Sequence, residues 1–213
     1  MPISKIEDAI KDIKKGKMVI LVDDQDRENE GDLIISAEFA TPEAINFMAT
    51  HGRGLICLSV DNNKAKKLDL SPVKSPSDDN LDSTAFTVSI DAKKDVTTGI
   101  SAHDRSKTAM MVASDSSVAD DFDRPGHMFP LIARDGGILV RAGHTEASVD
   151  ISRIAGLKPC AVICEIMNDD GSMARLKDCE KFAKKHKIKI ATIADLISYR
   201  LKKESFVSLY AKC

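Results

Sequence analysis

The feature that most constrains this chain is the run Asp23-Asp24-Gln25-Asp26-Arg27-Glu28-Asn29-Glu30-Gly31-Asp32. It follows the apolar stretch Met18-Val19-Ile20-Leu21-Val22 and precedes Leu33-Ile34-Ile35. Two strand-like runs therefore bracket a dense acidic loop. In an extended loop, Asp24, Asp26, Glu28, Glu30 and Asp32 would share one face, because strand side chains repeat every second residue. Carboxylates crowded on one face repel unless water screens them or cations neutralise them. Arg27 is one such cation, and a divalent metal would be another. A solvated acidic turn is the alternative. A calcium loop of the EF-hand type is excluded. Counting from Asp24, its required glycine and glutamate positions hold Asn29 and Ile35.

With 213 residues and 43% apolar content, the chain can bury a well-formed core in one large domain or two small ones. A formal net charge of -2 gives no electrostatic footprint for nucleic acid. No apolar stretch approaches the roughly 20 residues needed to span a bilayer. The start Met1-Pro2-Ile3-Ser4-Lys5 has no apolar signal core, which predicts a cytoplasmic protein. The cysteines Cys57, Cys160, Cys164, Cys179 and Cys213 are odd in number, scattered, and form no C-x-x-C pair. They are expected as small buried hydrophobes, with Cys213 on a loose tail, not as a disulfide framework or zinc cluster.

Local signals predict alternating helices and strands. Ser4-x-x-Glu7 reads as a capping box before a helix bearing Ile6, Ile10 and Ile13. Thr41-Pro42, Asp61, Ser101-x-x-Asp104, Thr145 and Thr192 mark further helix starts. Met110 and Met111 are expected to fill the core. Strands are expected over 55–60, 86–90, 128–134, 161–166 and 188–191. A turn is expected over 121–127, and hairpins at Asp135-Gly136-Gly137 and Asp169-Asp170-Gly171. Ser71 to Asp82, rich in Ser, Pro, Asp and Asn, reads as a linker or a functional loop. Hairpins interrupting the alternation argue for an α+β fold. The expected form is a single domain with a mixed β-sheet covered by helices, not a pure parallel doubly wound sheet.

Three constellations carry chemistry beyond this framework. The acidic loop with Arg27 is the first. In Arg141-Ala142-Gly143-His144-Thr145, an arginine, a glycine that lets backbone approach, and a helix start combine into an anion site suited to phosphate. His144 there could ligate a metal or transfer a proton. An ordinary surface arginine is the competing reading. Arg124-Pro125-Gly126-His127 presents a histidine at a sharp turn, where a structural role competes with a chemical one. Glu165 interrupts the apolar run 161–167: either it faces solvent from a one-sided strand, or it is a buried carboxylate that needs a partner. Together these point to metal-assisted chemistry on a small phosphorylated metabolite.

Four long motifs carry a resemblance. They are Asp24 to Leu33; Thr97-Thr98-Gly99-Ile100-Ser101-Ala102 with Asp104-Arg105; Arg124-Pro125-Gly126-His127 with Phe129-Pro130-Leu131; and Arg141 with Gly143-His144-Thr145-Glu146-Ala147. In this order they resemble the 3,4-dihydroxy-2-butanone 4-phosphate synthase family of riboflavin biosynthesis, over nearly the whole chain. The resemblance implies conversion of ribulose 5-phosphate to 3,4-dihydroxy-2-butanone 4-phosphate and formate. The cofactor implied is magnesium, with manganese as an alternative and two ions per site. It implies a homodimer with active sites at the subunit interface, each completed by the partner. One synthase domain over residues 1–213, without the GTP cyclohydrolase II domain fused to it in some members, is expected.

By motif position, Glu28 and His144 would bind metal. Arg27, Glu28, Asp32, Arg141, Ala142, Gly143, His144, Thr145 and Glu165 would hold the substrate, with Arg141 and Thr145 on its phosphate. His127 and Glu165 would be essential for proton transfer. A closing loop, formed by the acidic run and Ser71 to Asp82, would shield reactive intermediates. Cys57 is expected near the site without an assigned role. Asp95 departs from the family pattern, in which a glycine is expected before Val96. The rival readings are another metal-dependent sugar-phosphate isomerase or aldolase, and a non-catalytic metal- or phosphate-binding protein.

Overall fold

The computed structural model describes residues 3–73 and 83–204. Residues 74–82 of the Ser71 to Asp82 stretch, and Cys213, lie outside the described residues. The strands are β1 (Val19–Val22), β2 (Gly31–Ser36), β3 (Cys57–Val60), β4 (Ile90–Ala92), β5 (Phe122–Ile132), β6 (Cys160–Glu165) and β7 (Lys189–Thr192). They form one seven-stranded sheet in the order β4-β5-β3-β6-β2-β1-β7. The pairs β1/β7 and β3/β5 are parallel, and the other neighbours are antiparallel. The expected mixed sheet is what forms.

Alternation along the strands decides which helices cover which face. Val19, Leu21, Ile34, Ala161 and Ile163 pack against α1 (Ile6–Lys14), α5 (His144–Ile154) and α7 (Ile193–Lys203). Ile20, Leu33, Ile35, Val162 and Cys164 pack against the opposite layer, which includes α2 (Pro42–Phe47), α3 (Asn62–Lys67), α4 (Ala102–Ala113) and α6 (Leu176–His186). Ile6, Ile10 and Ile13 of α1 recur on one face and are buried. Burying each stabilises the layer by about 1.5–3 kcal/mol.

Helix starts follow the caps expected at Thr41, Asp61, Ser101 and Thr192, whose side chains accept the N–H of Ala44, Lys64, Asp104 and Asp195. Two expected caps do not form. Lys5, not Ser4, is the N-cap of α1, because the Ser4 N–H donates to Ile190 O and extends the edge of the sheet. Gly143, not Thr145, caps α5. This places His144 and Thr145 inside the helix's first turn.

Four more expectations change. The hairpin at Asp135-Gly136-Gly137 is absent: Gly136 and Gly137 both have positive φ and lead into a 3-10 turn, Gly137–Leu139. Two left-handed glycines fit a hairpin equally well, but Ile138 is drawn down instead, its N–H donating to buried Asp150 at 2.9 Å. The turn expected over 121–127 lies inside the long strand β5, as a break in its register with β4. Met110 is 40% exposed, on the outer side of α4, and does not fill the core. The strand expected over 86–90 is shorter and later, as β4, with Phe86 and Thr87 making only isolated bridges. Asp169-Asp170-Gly171 does form its tight turn, closed by a Met167–Met173 bridge.

Candidate active site

Asp32 in β2 lies directly opposite Glu165 in β6. Both sit on the sheet face covered by α5, at the end where β1 passes into the acidic loop. The start of α5 delivers His144 and Thr145 to the same place. A cleft of about 160 Å³ forms there. Its walls include Arg27, Glu28, Asp32, Arg141, His144, Thr145 and Glu165, together with Cys57. Sequence reasoning thus named seven residues that the fold brings together from three separate segments.

The acidic loop is not extended. Residues 25–28 form a turn, because Asp23, hardly singled out by sequence, folds the loop around itself. Its carboxylate accepts Arg27 Nη1 at 2.9 Å, Glu28 N at 3.1 Å and Glu30 N at 2.8 Å. Arg175, from the start of α6, donates to the carbonyls of Glu28 and Asn29, both at 2.7 Å. The loop is a braced wall. A lone Asp ending a strand was the only signal for Asp23, and nothing local marked Arg175.

Charge is concentrated inside this wall. Glu28 Oε2 lies 2.6 Å from Arg27 Nη1 and 3.7 Å from His144 Nδ1. Asp32 Oδ1 lies 3.7 Å from the same imidazole nitrogen. His144 holds the Glu28 carboxyl down at about 2, with help from Arg27 and against burial. Burial pushes Asp32 up to about 7, although His144 opposes it. Burial alone would lower His144, but Asp32, Glu28 and Asp23 overcome it and raise the imidazole to about 9.

The donor set fits a hard divalent ion. Ligand atoms of Asp23, Glu28 and His144 all lie within 4.8 Å of one another. His144 Nε2 and Asp32 Oδ1 are buried without a hydrogen-bond partner. Carboxylate oxygens with one imidazole suit magnesium or manganese better than a soft metal. Such an ion needs His144 neutral and the carboxylates ionised.

A pH dependence follows. His144 and Asp32 are both raised above their unfolded values of 6.5 and 3.8. The stability they contribute while protonated is present at low pH. It is lost as pH rises, through about 7 for Asp32 and about 9 for His144. Metal-free protein is therefore expected to melt at lower temperature at pH 9 than at pH 6. Magnesium is expected to raise the melting temperature more at pH 9, where fewer protons have to be displaced from His144 and Asp32 than at pH 6. Calorimetry at both pH values, with magnesium and with chelator, checks this.

Beside the acidic wall lies a cationic one. Arg141 is buried, its guanidinium fixed by Glu146 at 2.7 Å and by Thr84 Oγ1 at 2.8 Å. A Cβ at Gly143 would run into Arg141 and come within 3.0 Å of Arg27 Nη2. Only glycine lets the helix start approach both guanidinium groups. The two arginines and the N-terminus of α5 favour an anion such as a phosphate ester. Ala142 faces away, into the groove behind the acidic loop. Glu165 is half-buried and points into the cleft, and its Oε2 accepts the Leu55 N–H at 2.8 Å. The solvent-facing reading of that residue does not hold. Cys57 is buried in the same lining, and burial pushes its thiol up, so it is no ready nucleophile there.

His127 stands apart. It is not part of this lining. Strand β3 lies between β5, which carries His127, and β6, which carries Glu165. Strand spacing alone separates the two backbones by roughly 10 Å. His127 is exposed, and its partner Asp91, unnoticed in the sequence, accepts from its backbone N–H at 2.8 Å and contacts Nδ1 at 2.6 Å.

A family model described as 3,4-dihydroxy-2-butanone 4-phosphate synthase matches residues 7–199. The chain belongs to that family. It is 53% identical to the 3,4-dihydroxy-2-butanone 4-phosphate synthase of Photobacterium phosphoreum over 213 residues, 100% of this chain and 58% of that protein. It is 60% identical to the riboflavin biosynthesis protein RibBA of Aquifex aeolicus over 208 residues, 97% of this chain and 51% of that protein. The chain thus spans little more than half the length of these curated relatives. The fold is similar to a crystal structure of a 3,4-dihydroxy-2-butanone 4-phosphate synthase in complex with two magnesium ions. The TM-score is 0.90 and the identity 42%, covering 96% of this chain and 100% of that one. A two-domain synthase from A. baumannii gives a TM-score of 0.91 at 48% identity, over 95% of this chain and 59% of that one.

Asp95 holds a backbone conformation that favours glycine. The residue has φ 60, a left-handed conformation that glycine adopts at no steric cost. Aspartate tolerates it, and its carboxylate pairs with Lys107 at 3.0 Å.

Proposed function

We propose that this chain converts ribulose 5-phosphate to 3,4-dihydroxy-2-butanone 4-phosphate and formate, a lyase reaction of riboflavin biosynthesis. The observation that carries the reading is one cleft, in a chain of this family, where Glu28, Asp32, His144 and Glu165 converge beside two guanidinium groups. Arg141, Thr145 and the first turn of α5 hold the sugar's phosphate. Glu28 and His144 are the residues that would hold magnesium or manganese, with Asp23 and Asp32 near enough to support a second ion. A bound divalent ion supplies positive charge that stabilises negative oxygen developing on the substrate.

The remaining chemistry belongs to the chain's own groups. Abstraction of a proton next to the ketone needs a positioned base, and Glu165 is fixed in the cleft by the Leu55 N–H. Loss of water and a skeletal shift precede formate release, and a second proton-transfer group serves those steps. His127 is that group, and it acts across a homodimer. It does not reach the cleft of its own protomer, so each cleft is completed by His127 of the partner subunit. The braced acidic wall and the buried flank of α5 limit access of water to the reactive intermediates.

No described helix is long and apolar enough to cross a membrane. The four described cysteines are free and buried, which suits a reducing, cytoplasmic setting. Incubation with ribulose 5-phosphate and magnesium is expected to release one formate per substrate, and chelator is expected to stop it. Consumption of substrate without formate would identify an isomerase or aldolase instead.

A further inference from the structure

The turn at Asp169-Asp170-Gly171 supplies no residue to the cleft lining, but it decides where α6 begins. The chain continues past Glu165 beside β2, and Ile166 N donates to Gly31 O at 3.0 Å. The turn then reverses it, and Ala174 N donates back to Ile166 O at 2.9 Å. Arg175, the N-cap residue of α6, follows at once and is set down against the acidic loop. Gly31 tightens this approach, because a Cβ there would run into Cys179 Sγ of α6.

What Arg175 holds is backbone. Its Nη1 donates to the carbonyls of Glu28 and Asn29, both at 2.7 Å. Two successive carbonyls thus converge on one nitrogen, across a turn in which Asn29 has φ 56. Asparagine tolerates that left-handed conformation better than most residues. On the other side of Glu28, its N–H donates to Asp23 at 3.1 Å. Both peptide groups flanking the Glu28 Cα are therefore tied, one to Asp23 and one to Arg175. The side chain between them is aimed into the cleft, with Oε2 3.7 Å from His144 Nδ1.

We infer that Arg175 is a positioning residue for Glu28 as a metal ligand, acting through the two carbonyls and not through its charge. The inference rests on the proposed role of Glu28 in holding a divalent ion. The two ways of acting have opposite signs. A guanidinium near an acidic site repels a cation, so removing its charge alone would tighten divalent binding. Removing the tether frees the Glu28 backbone to leave the position facing His144, which loosens binding. The Arg175 side chain is 49% exposed, so water can replace it on the carbonyls and the fold survives its loss.

The test is titration of chelator-treated protein with manganese alone, followed by electron paramagnetic resonance at one fixed pH. Arg175→Met is expected to weaken manganese binding by about 10-fold, the lower end of what losing a residue that supports a metal ligand costs. Glu28→Gln is expected to weaken it further. In a Glu28→Gln background, adding Arg175→Met is expected to change the affinity by less than about 2-fold. Unchanged or tighter binding by folded Arg175→Met, beside a weakened Glu28→Gln, overturns the tether and leaves the proposed function standing. An equal loss on removing Arg175 with or without Glu28 also overturns it, because the effect then does not pass through Glu28. Wild-type affinity in Glu28→Gln overturns the role of Glu28 as a ligand, and the inference with it. Should Arg175→Met fail to fold, Arg175→Gln, whose shorter neutral side chain loses the same charge and reach, is read against the same outcomes.

Discussion

Glu165→Gln is expected to lower kcat by about 10²–10⁴-fold, the range over which a positioned acid or base contributes. The substitution keeps the side chain's volume. Its amide oxygen can still accept the Leu55 N–H that holds the wild-type carboxylate at 2.8 Å. What is lost is the ability to take a proton. Stability is expected to hold or rise, because the carboxylate adds repulsion to Asp32 and Glu30 across the cleft. Loss of activity with retained or raised melting temperature separates a chemical group from a structural one. Unchanged kcat in the folded variant would remove Glu165 from the mechanism.

A mixture of His127→Ala and Glu165→Gln chains, each inactive alone, is expected to recover about a quarter of wild-type turnover. The figure follows from a two-fold dimer in which each cleft uses the partner subunit's His127. Random exchange of equal amounts makes about half the dimers mixed. In a mixed dimer, the cleft of the His127→Ala chain keeps Glu165 and receives His127 of the partner subunit. The other cleft lacks both groups. One working cleft in half the dimers gives the quarter. If both residues served the same protomer, each mixed dimer would hold two defective clefts, and mixing would restore nothing. Turnover measured against mixing ratio, after mild denaturation and reassembly, decides between the two.

The physical picture behind both predictions is a conflict of charges settled by position. Glu28, Glu30, Asp32 and Glu165 crowd one end of the sheet. Arg27, Arg175 and the raised imidazole of His144 offset only part of that charge. Asp32 Oδ1 and His144 Nε2 are left buried without a hydrogen-bond partner, a state that costs free energy unless an ion or substrate occupies the cleft. Such uncompensated groups are expected where a protein gives up stability for binding and chemistry.

Much of this was legible in the sequence because its causes are local. Short continuous apolar runs such as Val19–Val22 and Cys160–Glu165 marked strands buried on both faces. Thr41, Asp61, Ser101 and Thr192 capped helices because a side-chain oxygen reaches an N–H two or three residues on, whatever the rest of the chain does. The acidic run, the Arg141 to Thr145 turn and Glu165 stood out because their residue types are costly in those settings. Tertiary structure decided what local pattern leaves degenerate. Paired glycines suited a hairpin at 135–137, but a buried carboxylate more than ten residues away recruited Ile138 instead. Asp23 and Arg175 became braces through contacts that no spacing rule contains. The partnership of Asp91 with His127 depended on a register shift between strands more than 30 residues apart. A local rule sees neighbours in the chain, whereas a cleft is built by neighbours in space.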